Sequence, residues 1–176
     1  MNLERELGAP AEQVVPQSHE QKRRDFVLQI IQPGLAGMMD GSVSTLAPIF
    51  AAAFAVSNPH TVFLIGLAAA LGAGVSMAFA EALSDDGSLT GRGSPWLRGG
   101  VEGAMTFVGG FGHTLPFLLP HMGMALTLAY VVVAIELVII SWIRFHYFRM
   151  NFVRSSLQVL GGGLIVVIIG VVLGQS

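Results

Sequence analysis

The chain has 176 residues, of which 53% are hydrophobic and only 11% are charged, and its formal net charge at pH 7 is -2. A composition this apolar is typical of a single polytopic membrane domain and argues against a soluble fold with a large core. The small net charge, without a basic stripe interleaved with aromatic residues, argues against a nucleic-acid partner. The lack of cysteine excludes disulfides, thiolate metal sites and cysteine nucleophiles.

The first 25 residues are polar, with several glutamates and two prolines, and so lack the apolar core of a cleaved signal peptide. We expect residues 1–25 to form a flexible cytoplasmic tail. Residues 26–176 then form one transmembrane domain.

Five apolar runs follow in chain order, each near the ~20 residues that a helix needs to cross a hydrocarbon core. In the first run, Pro48 lacks an N–H and therefore frees the carbonyl oxygen of Ser44. Between the second and third runs, residues 84–100 are rich in Gly, Ser and Asp, which predicts a flexible loop too short for a folded domain. The predicted fold class is an all-α membrane protein with five transmembrane helices, at about 26–56, 62–83, 101–120, 122–143 and 157–174.

The positive charges predict the orientation of these helices. If the runs are threaded alternately, all nine Lys and Arg fall on the side of the N-terminus, and the other side carries none. By the positive-inside rule, the N-terminus is then cytoplasmic and the C-terminus lies outside.

Carboxylates and methionines lie at similar predicted depths near the cytoplasmic ends of the first three runs. Carboxylates provide hard oxygen ligands and thioethers provide soft sulfur ligands, a mixture that favours Fe²⁺ or a similar transition metal over Mg²⁺ and Ca²⁺. Asp40 is the strongest candidate, because an Asp inside an apolar helix is energetically expensive. The predicted ion pathway comprises Asp40, Ser44, Met77, Glu81, Glu102 and Met105, with Asp40 and Glu81 as proton-coupling groups.

For several of these residues, a structural role is the alternative to a role in metal binding. Met105 is more often packing than a ligand in a membrane helix, and Glu102 suits an interfacial position equally well. Glu136, midway along the fourth run, is read first as a structural hydrogen-bonding group. His113 either forms a hydrogen bond across helices or has a metal or proton role.

Five runs cannot form two equal inverted halves, so a pseudo-symmetric pathway needs a second copy of the chain. Gly37 and Gly41 form a small-xxx-small pair that allows close helix approach. We therefore expect a homodimer in which the two first helices, with Gly37, Gly41 and Pro48, face each other across the pathway.

Two segments carry a resemblance to a known family. The stretch Met39-Asp40-Gly41-Ser42-Val43-Ser44-Thr45-Leu46-Ala47-Pro48 and the stretch Gly72-Ala73-Gly74-Val75-Ser76-Met77-Ala78-Phe79-Ala80-Glu81 resemble the vacuolar iron transporter family. The likeness covers about residues 26–175 and extends to the transporter half of bacterial membrane-bound ferritins. Among the pathway residues, Asp40, Met77 and Glu81 match the family's positions.

The resemblance implies efflux of Fe²⁺, or of Mn²⁺, from the cytosol in exchange for protons, through a homodimer in a bacterial inner membrane. It implies no tightly bound cofactor, and a separate iron-storage or iron-donor protein is a further candidate partner. The 84–100 loop cannot contain the Glu-rich metal-capturing domain of plant members, and residues 1–25 cannot contain the di-iron domain of the membrane-bound ferritins.

Two other function classes compete with a metal/proton antiporter. A membrane metalloenzyme is disfavoured, because the chain has no His-Glu-x-x-His, no Gly-x-Ser-x-Gly and no His pair at ligand spacing. The other is a non-transporting assembly partner of a ferritin-like protein. We therefore expect a transporter and not an enzyme.

Overall fold

The computed structural model describes residues 18–88, 90–149 and 151–176, and this part of the chain is helical without any strand. Most of the predicted tail, residues 1–17, lies outside the described residues. The elements in chain order are α1 (His19–Phe26), a π-helical turn (Val27–Ile31), α2 (Gln32–Ser44), α3 (Leu46–Ala55), α4 (Pro59–Ser84), α5 (Pro95–Gly112), a 3-10 helix (Leu115–Leu118), α6 (Met122–Phe148) and α7 (Phe152–Gln175).

Among the described residues, four helical stretches are long and apolar enough to cross a membrane. They are the stretch His19–Ala55, which runs from α1 to α3, and the helices α4, α6 and α7. The predicted all-α class is confirmed. The third predicted run, 101–120, is divided between α5 and the 3-10 helix, and α5 is not one of the four.

Several helices begin earlier than the apolar runs predict, because polar caps precede them. Ser18 Oγ accepts a hydrogen bond from the N–H of Gln21, so α1 begins at His19 and the predicted tail is wrong for residues 19–25. Ser94 Oγ accepts from the N–H of Leu97, so α5 begins at Pro95 and not at 101.

The first long stretch is interrupted at Thr45, between the end of α2 and the start of α3. This break lies in the turn before Pro48, where the missing N–H of the proline leaves the carbonyl of Ser44 without its helical donor. The Thr45 hydroxyl donates a hydrogen bond to the carbonyl oxygen of Gly41 at 2.7 Å. The interruption at Thr45 thus lies next to Ser44, whose carbonyl oxygen Pro48 is predicted to free.

Helix α5 packs between α2 and α4 through faces of small residues. On the α2 side, a Cβ at Gly37 would overlap the backbone carbonyl of Glu102, and a Cβ at Gly41 would overlap that of Thr106. On the α4 side, a Cβ at Gly103 would lie 2.5 Å from the carbonyl oxygen of Gly74. The prediction that Gly37 and Gly41 face a second copy is wrong. Their small faces are occupied by the backbone of α5 in the same chain, which can approach closely because no side chain intervenes.

The hydrophobic core lies around α3 and α6, closed by the 3-10 helix and α7. Phe50 on α3 is fully buried, and its ring stacks on Tyr130 of α6 at 4.7 Å between centroids. Many apolar side chains of α4 and α7 point outward instead, which suits helices that contact lipid. The largest members of the core are Leu46, Ile49, Phe50, Phe117, Leu137 and Ile140.

Candidate functional site

Asp40 lies on the wall of a cavity of about 450 Å³ between α2, α6 and α7. Its carboxylate is hydrogen-bonded to the side chain of Ser44, one turn further along the same helix. Arg144 of α6 and Gln158 of α7 contribute the other polar side chains of the lining. The cavity therefore places two charged side chains and one amide among mostly apolar lining residues, and it contains the strongest sequence candidate.

The methionines of the predicted pathway lie elsewhere. Met77 is half-buried on α4, a helix that contributes no residue to the Asp40 cavity. Met105 lines a separate apolar cavity of about 340 Å³, together with Met38 and Trp142. Within one chain, the Asp40 cavity therefore contains no thioether from α4 or α5.

Glu81 is held by two arginines. Its Oε1 atom lies 2.7 Å from Nε of Arg98 and 2.8 Å from a terminal nitrogen of Arg92. Two guanidinium groups at these distances neutralise the carboxylate and repel a metal cation. In this conformation Glu81 is a structural ion-pair partner, which differs from the predicted role in metal binding and proton coupling.

Arg98 is the centre of this ion-pair cluster and is fully buried. Besides Glu81, its guanidinium donates to the carbonyl oxygens of Gly93 and Asp85, each at 2.9 Å. The guanidinium group of Arg98 thus connects the end of α4, the following loop and the first turns of α5. The planar, five-donor geometry of arginine makes this arrangement possible, and lysine does not have it.

The loop of residues 85–94 is ordered around Arg98, so the prediction of a flexible loop is wrong for its described residues. Gly87, Gly91 and Gly93 have φ values of 82°, 65° and 77°, which other residues rarely adopt. The hydroxyl of Thr90 and the N–H of Gly87 donate to Asp85, and these hydrogen bonds lower the pKa of its carboxyl from the ordinary value of 3.8.

Glu102 is almost completely buried, with 5% of its surface exposed. Its side chain lies close enough to Glu81 and Asp40 to feel their negative charges, and close enough to Arg92 and Arg98 to feel their positive ones. Glu102 therefore lies in the interior of the helix bundle. Burial of the α5 helix between α2 and α4 removes this position from the surface.

His113 joins three helices through a chain of polar contacts, which we call the His113 bridge. Its Nδ1 lies 3.1 Å from Oε2 of Glu136 on α6, and its Nε2 lies 2.9 Å from Oγ of Thr45 at the α2–α3 break. His113 and Thr45 are buried, and Gly112 leaves room for the Glu136 carboxylate. The prediction of a hydrogen bond from His113 across helices is confirmed.

The predicted pathway residues do not converge on one chelating site. Among the described residues, no group of three or more His, Asp and Glu side chains is placed to hold a metal ion. Asp40 and Glu102 influence each other electrostatically, while Glu81 belongs to the arginine cluster and Met77 stands apart. A metal site would need groups from outside the single chain or another conformation.

Sequence reasoning missed the roles of Arg98, Thr45 and Arg144. The sequence places Arg98 only among the nine positive charges on the side of the N-terminus. Its acidic partners Glu81 and Asp85 lie at the end of α4 and just after it. The contact between His113 and Glu136 had no signal in the sequence, because their counted depths in the third and fourth runs differ.

Comparison of the chain with protein-family models, with curated proteins and with solved structures finds no match to it.

Proposed function

We propose that this chain is a membrane transporter that exports Fe²⁺, with Mn²⁺ as a second cargo, from the cytosol in exchange for protons. The observation that carries the proposal is Asp40, an acidic side chain that lines a cavity together with Arg144 and Gln158, among helices apolar enough to cross a membrane. A carboxylate in such a position is costly and is a functional candidate by default. The two family-like segments supply the choice of metal.

The proposal includes five crossings, with α5 and the 3-10 helix as the third. Gly99 of α5 lies against Ala82 of α4, and Gly66 of α4 lies against Thr114 just after α5. The two segments therefore run antiparallel over the stretch of α4 from Gly66 to Ala82, about 24 Å at ~1.5 Å per residue. Alternate threading then leaves the N-terminus in the cytoplasm, which the basic residues support.

A homodimer completes the proposed pathway. The cavity wall includes the exposed residues Met39, Gln158 and Gly162 beside Asp40, so this face is open within one chain. Exposure of the Asp40 and Arg144 side chains to lipid would be unfavourable, and a second copy placed on this face would exclude lipid from the cavity. The partner can also bring further ligands to this cavity, where the single chain already places the thioether of Met39.

Proteoliposome flux under an imposed pH gradient tests the transport proposal. Fe²⁺, Mn²⁺ and Zn²⁺ are compared for the wild type, for Asp40→Asn and for Glu20→Gln as a matched carboxylate-to-amide control on the exposed α1. We expect Asp40→Asn to abolish metal flux with normal expression, because it keeps size and hydrogen bonding but removes the charge. Wild-type flux in Asp40→Asn would refute a role for Asp40, and the absence of flux in the wild type would refute transport.

Cross-linking tests the dimer separately, and the natural lack of cysteine makes single-cysteine variants clean probes. Met39→Cys, on the open wall of the cavity, should form a disulfide between copies. Gly72→Cys serves as the control, because it lies on an exposed part of α4 with no neighbour within 4 Å. Efficient linkage through position 72 and none through position 39 would place the interface elsewhere.

A further inference from the structure

The hydrogen-bond pattern of the His113 bridge determines where one of its protons lies. The Thr45 hydroxyl has a single hydrogen and donates it to the carbonyl oxygen of Gly41 at 2.7 Å. Its oxygen can then only accept from His113, whose Nε2 lies 2.9 Å away. Nε2 therefore carries a hydrogen, and Nδ1 is the nitrogen that faces Glu136.

The contact between His113 Nδ1 and Glu136 Oε2, at 3.1 Å, then requires one further proton. Either the imidazole is doubly protonated beside a carboxylate, or a neutral imidazole accepts a hydrogen bond from a carboxylic acid. Both arrangements contain the same number of protons and have no net charge. Without that proton, a carboxylate oxygen would face the lone pair of Nδ1, and a buried negative charge would have no donor.

We propose that His113 and Glu136 bind one exchangeable proton inside the bundle, and that this is the proton exchanged for the metal. This inference rests on the proposed transport function. The pair takes up the proton from water on the acidic side and releases it to water on the other side. In the deprotonated state, the two side chains separate.

The position of the pair fits a site within the membrane. Glu136 lies 14 residues after Met122 and 12 before Phe148, the two ends of α6, so it stands near the middle of that helix. The side chain of His113 is fully buried, and that of Glu136 is 13% exposed. Gly112 faces the Glu136 carboxylate, where a Cβ would overlap Oε1, so the backbone leaves space for this group.

The bridge also connects the proton to the helix that carries Asp40. Thr45 occupies the break between α2 and α3, and its hydroxyl bonds to Gly41, the residue next to Asp40. Loss of the proton removes the attraction between α5 and α6 at this point and frees His113 from one of its two partners. A change at Glu136 can therefore alter the α2–α3 break, one turn from Asp40.

Other ionisable groups on the surrounding helices have their own partners or lie at helix ends. Asp40 is hydrogen-bonded to the side chain of Ser44, and Glu81 forms ion pairs with two arginines. Glu102 interacts electrostatically with these groups and not with Glu136 or His113. Among the described residues, the one ion-pair contact of Glu136 is with His113. The remaining ionisable residues on the packed elements are His60 on α4, His121 before α6, Tyr130, Arg144, His146 and Tyr147 on α6, and Arg154 on α7.

Nitrogen NMR of the wild-type protein in bilayers, labelled with ¹⁵N-histidine, tests the proton position without any transport. His113→Asn serves to assign the His113 signals. We expect a hydrogen on Nε2, together with a strong hydrogen bond at Nδ1 that Glu136→Gln alters. A bare Nε2 would overturn the proposal, because Thr45 would then be the donor and the pair would need no further proton.

Flux measurements test the exchange. In Glu136→Gln, the amide donates a hydrogen bond to Nδ1 and preserves the contact, but it cannot bind and release a proton as a carboxylate does. We expect this variant to lose both the proton flux that accompanies Fe²⁺ and the acceleration of Fe²⁺ flux by a pH gradient. Glu20→Gln should retain both.

Wild-type proton flux per metal ion in Glu136→Gln would overturn the exchange role. A wild type that moves no metal would instead overturn the transport function and with it the exchange. The nitrogen spectrum still decides, in that case, whether the pair holds the proton, so the two failures are distinguishable.

Discussion

Replacement of Arg98 by methionine should destabilise the protein more than any other single charge removal in the arginine cluster. Arg98 is fully buried and forms contacts at 2.7 Å to Glu81, at 2.9 Å to the carbonyl of Gly93 and at 2.9 Å to the carbonyl of Asp85. Methionine fills similar space but leaves the two carbonyl oxygens without this donor and leaves Glu81 with Arg92 alone. The α4 end, the loop and α5 would lose their common anchor.

The expected loss of unfolding free energy depends on the arginine that remains beside Glu81. Removing one member of a buried ion pair costs ~3–5 kcal/mol, because the other charge stays uncompensated. Glu81 still has Arg92 at 2.8 Å, so we expect the lower end, about 3 kcal/mol. For a chain of this size, each kcal/mol lowers the unfolding midpoint by ~2–4 °C, which gives a decrease of roughly 6–12 °C.

Thermal unfolding in detergent, followed by tryptophan fluorescence, measures this decrease. Arg92→Met is the matched control, because Arg92 is 24% exposed and its ion pair with Glu81 is worth ~1 kcal/mol or less. Arg98→Lys keeps the charge but cannot reach three acceptors at once, so it should lie between the two. An Arg98→Met midpoint equal to that of Arg92→Met would refute the anchoring role.

Three further predictions concern packing and pH. Gly41→Ala should destabilise the protein in the same thermal assay, because the new Cβ overlaps the backbone of α5. Gly72→Ala is the control and should be neutral or stabilising, because a Cβ there has no neighbour within 4 Å. Gly112→Ala should displace the Glu136 carboxylate and change the His113 nitrogen spectrum; an unchanged spectrum would contradict the geometry of the bridge. Because the pKa of Asp85 is lower in the folded protein than its ordinary 3.8, the stabilisation by this carboxylate is complete above that pH and is lost as the pH falls through the folded pKa. Fluorescence of Trp96 in a Trp142→Phe background should report an acid transition below pH 3.8 that is absent in Asp85→Asn.

The sequence by itself determined the all-α class, the approximate positions of the helices and the carbonyl of Ser44 that Pro48 frees. These features depend on local properties, namely the length of apolar runs and the missing N–H of proline, which need no knowledge of distant contacts. Helix starts were misplaced where a polar cap lay outside the apolar run, as with Ser94 before α5. Counting apolar residues alone cannot register a cap.

The tertiary structure alone decided which polar residues meet. Sequence depth was counted at ~1.5 Å per residue, which holds only within an α-helix. Between α5 and α6, residues 113–121 form a 3-10 helix and irregular backbone. This segment rises more per residue and brings His113 level with Glu136. Likewise, Gly37 and Gly41 indicated a close helix contact but not its partner, because a small face fits a helix of the same chain as well as one from a second copy.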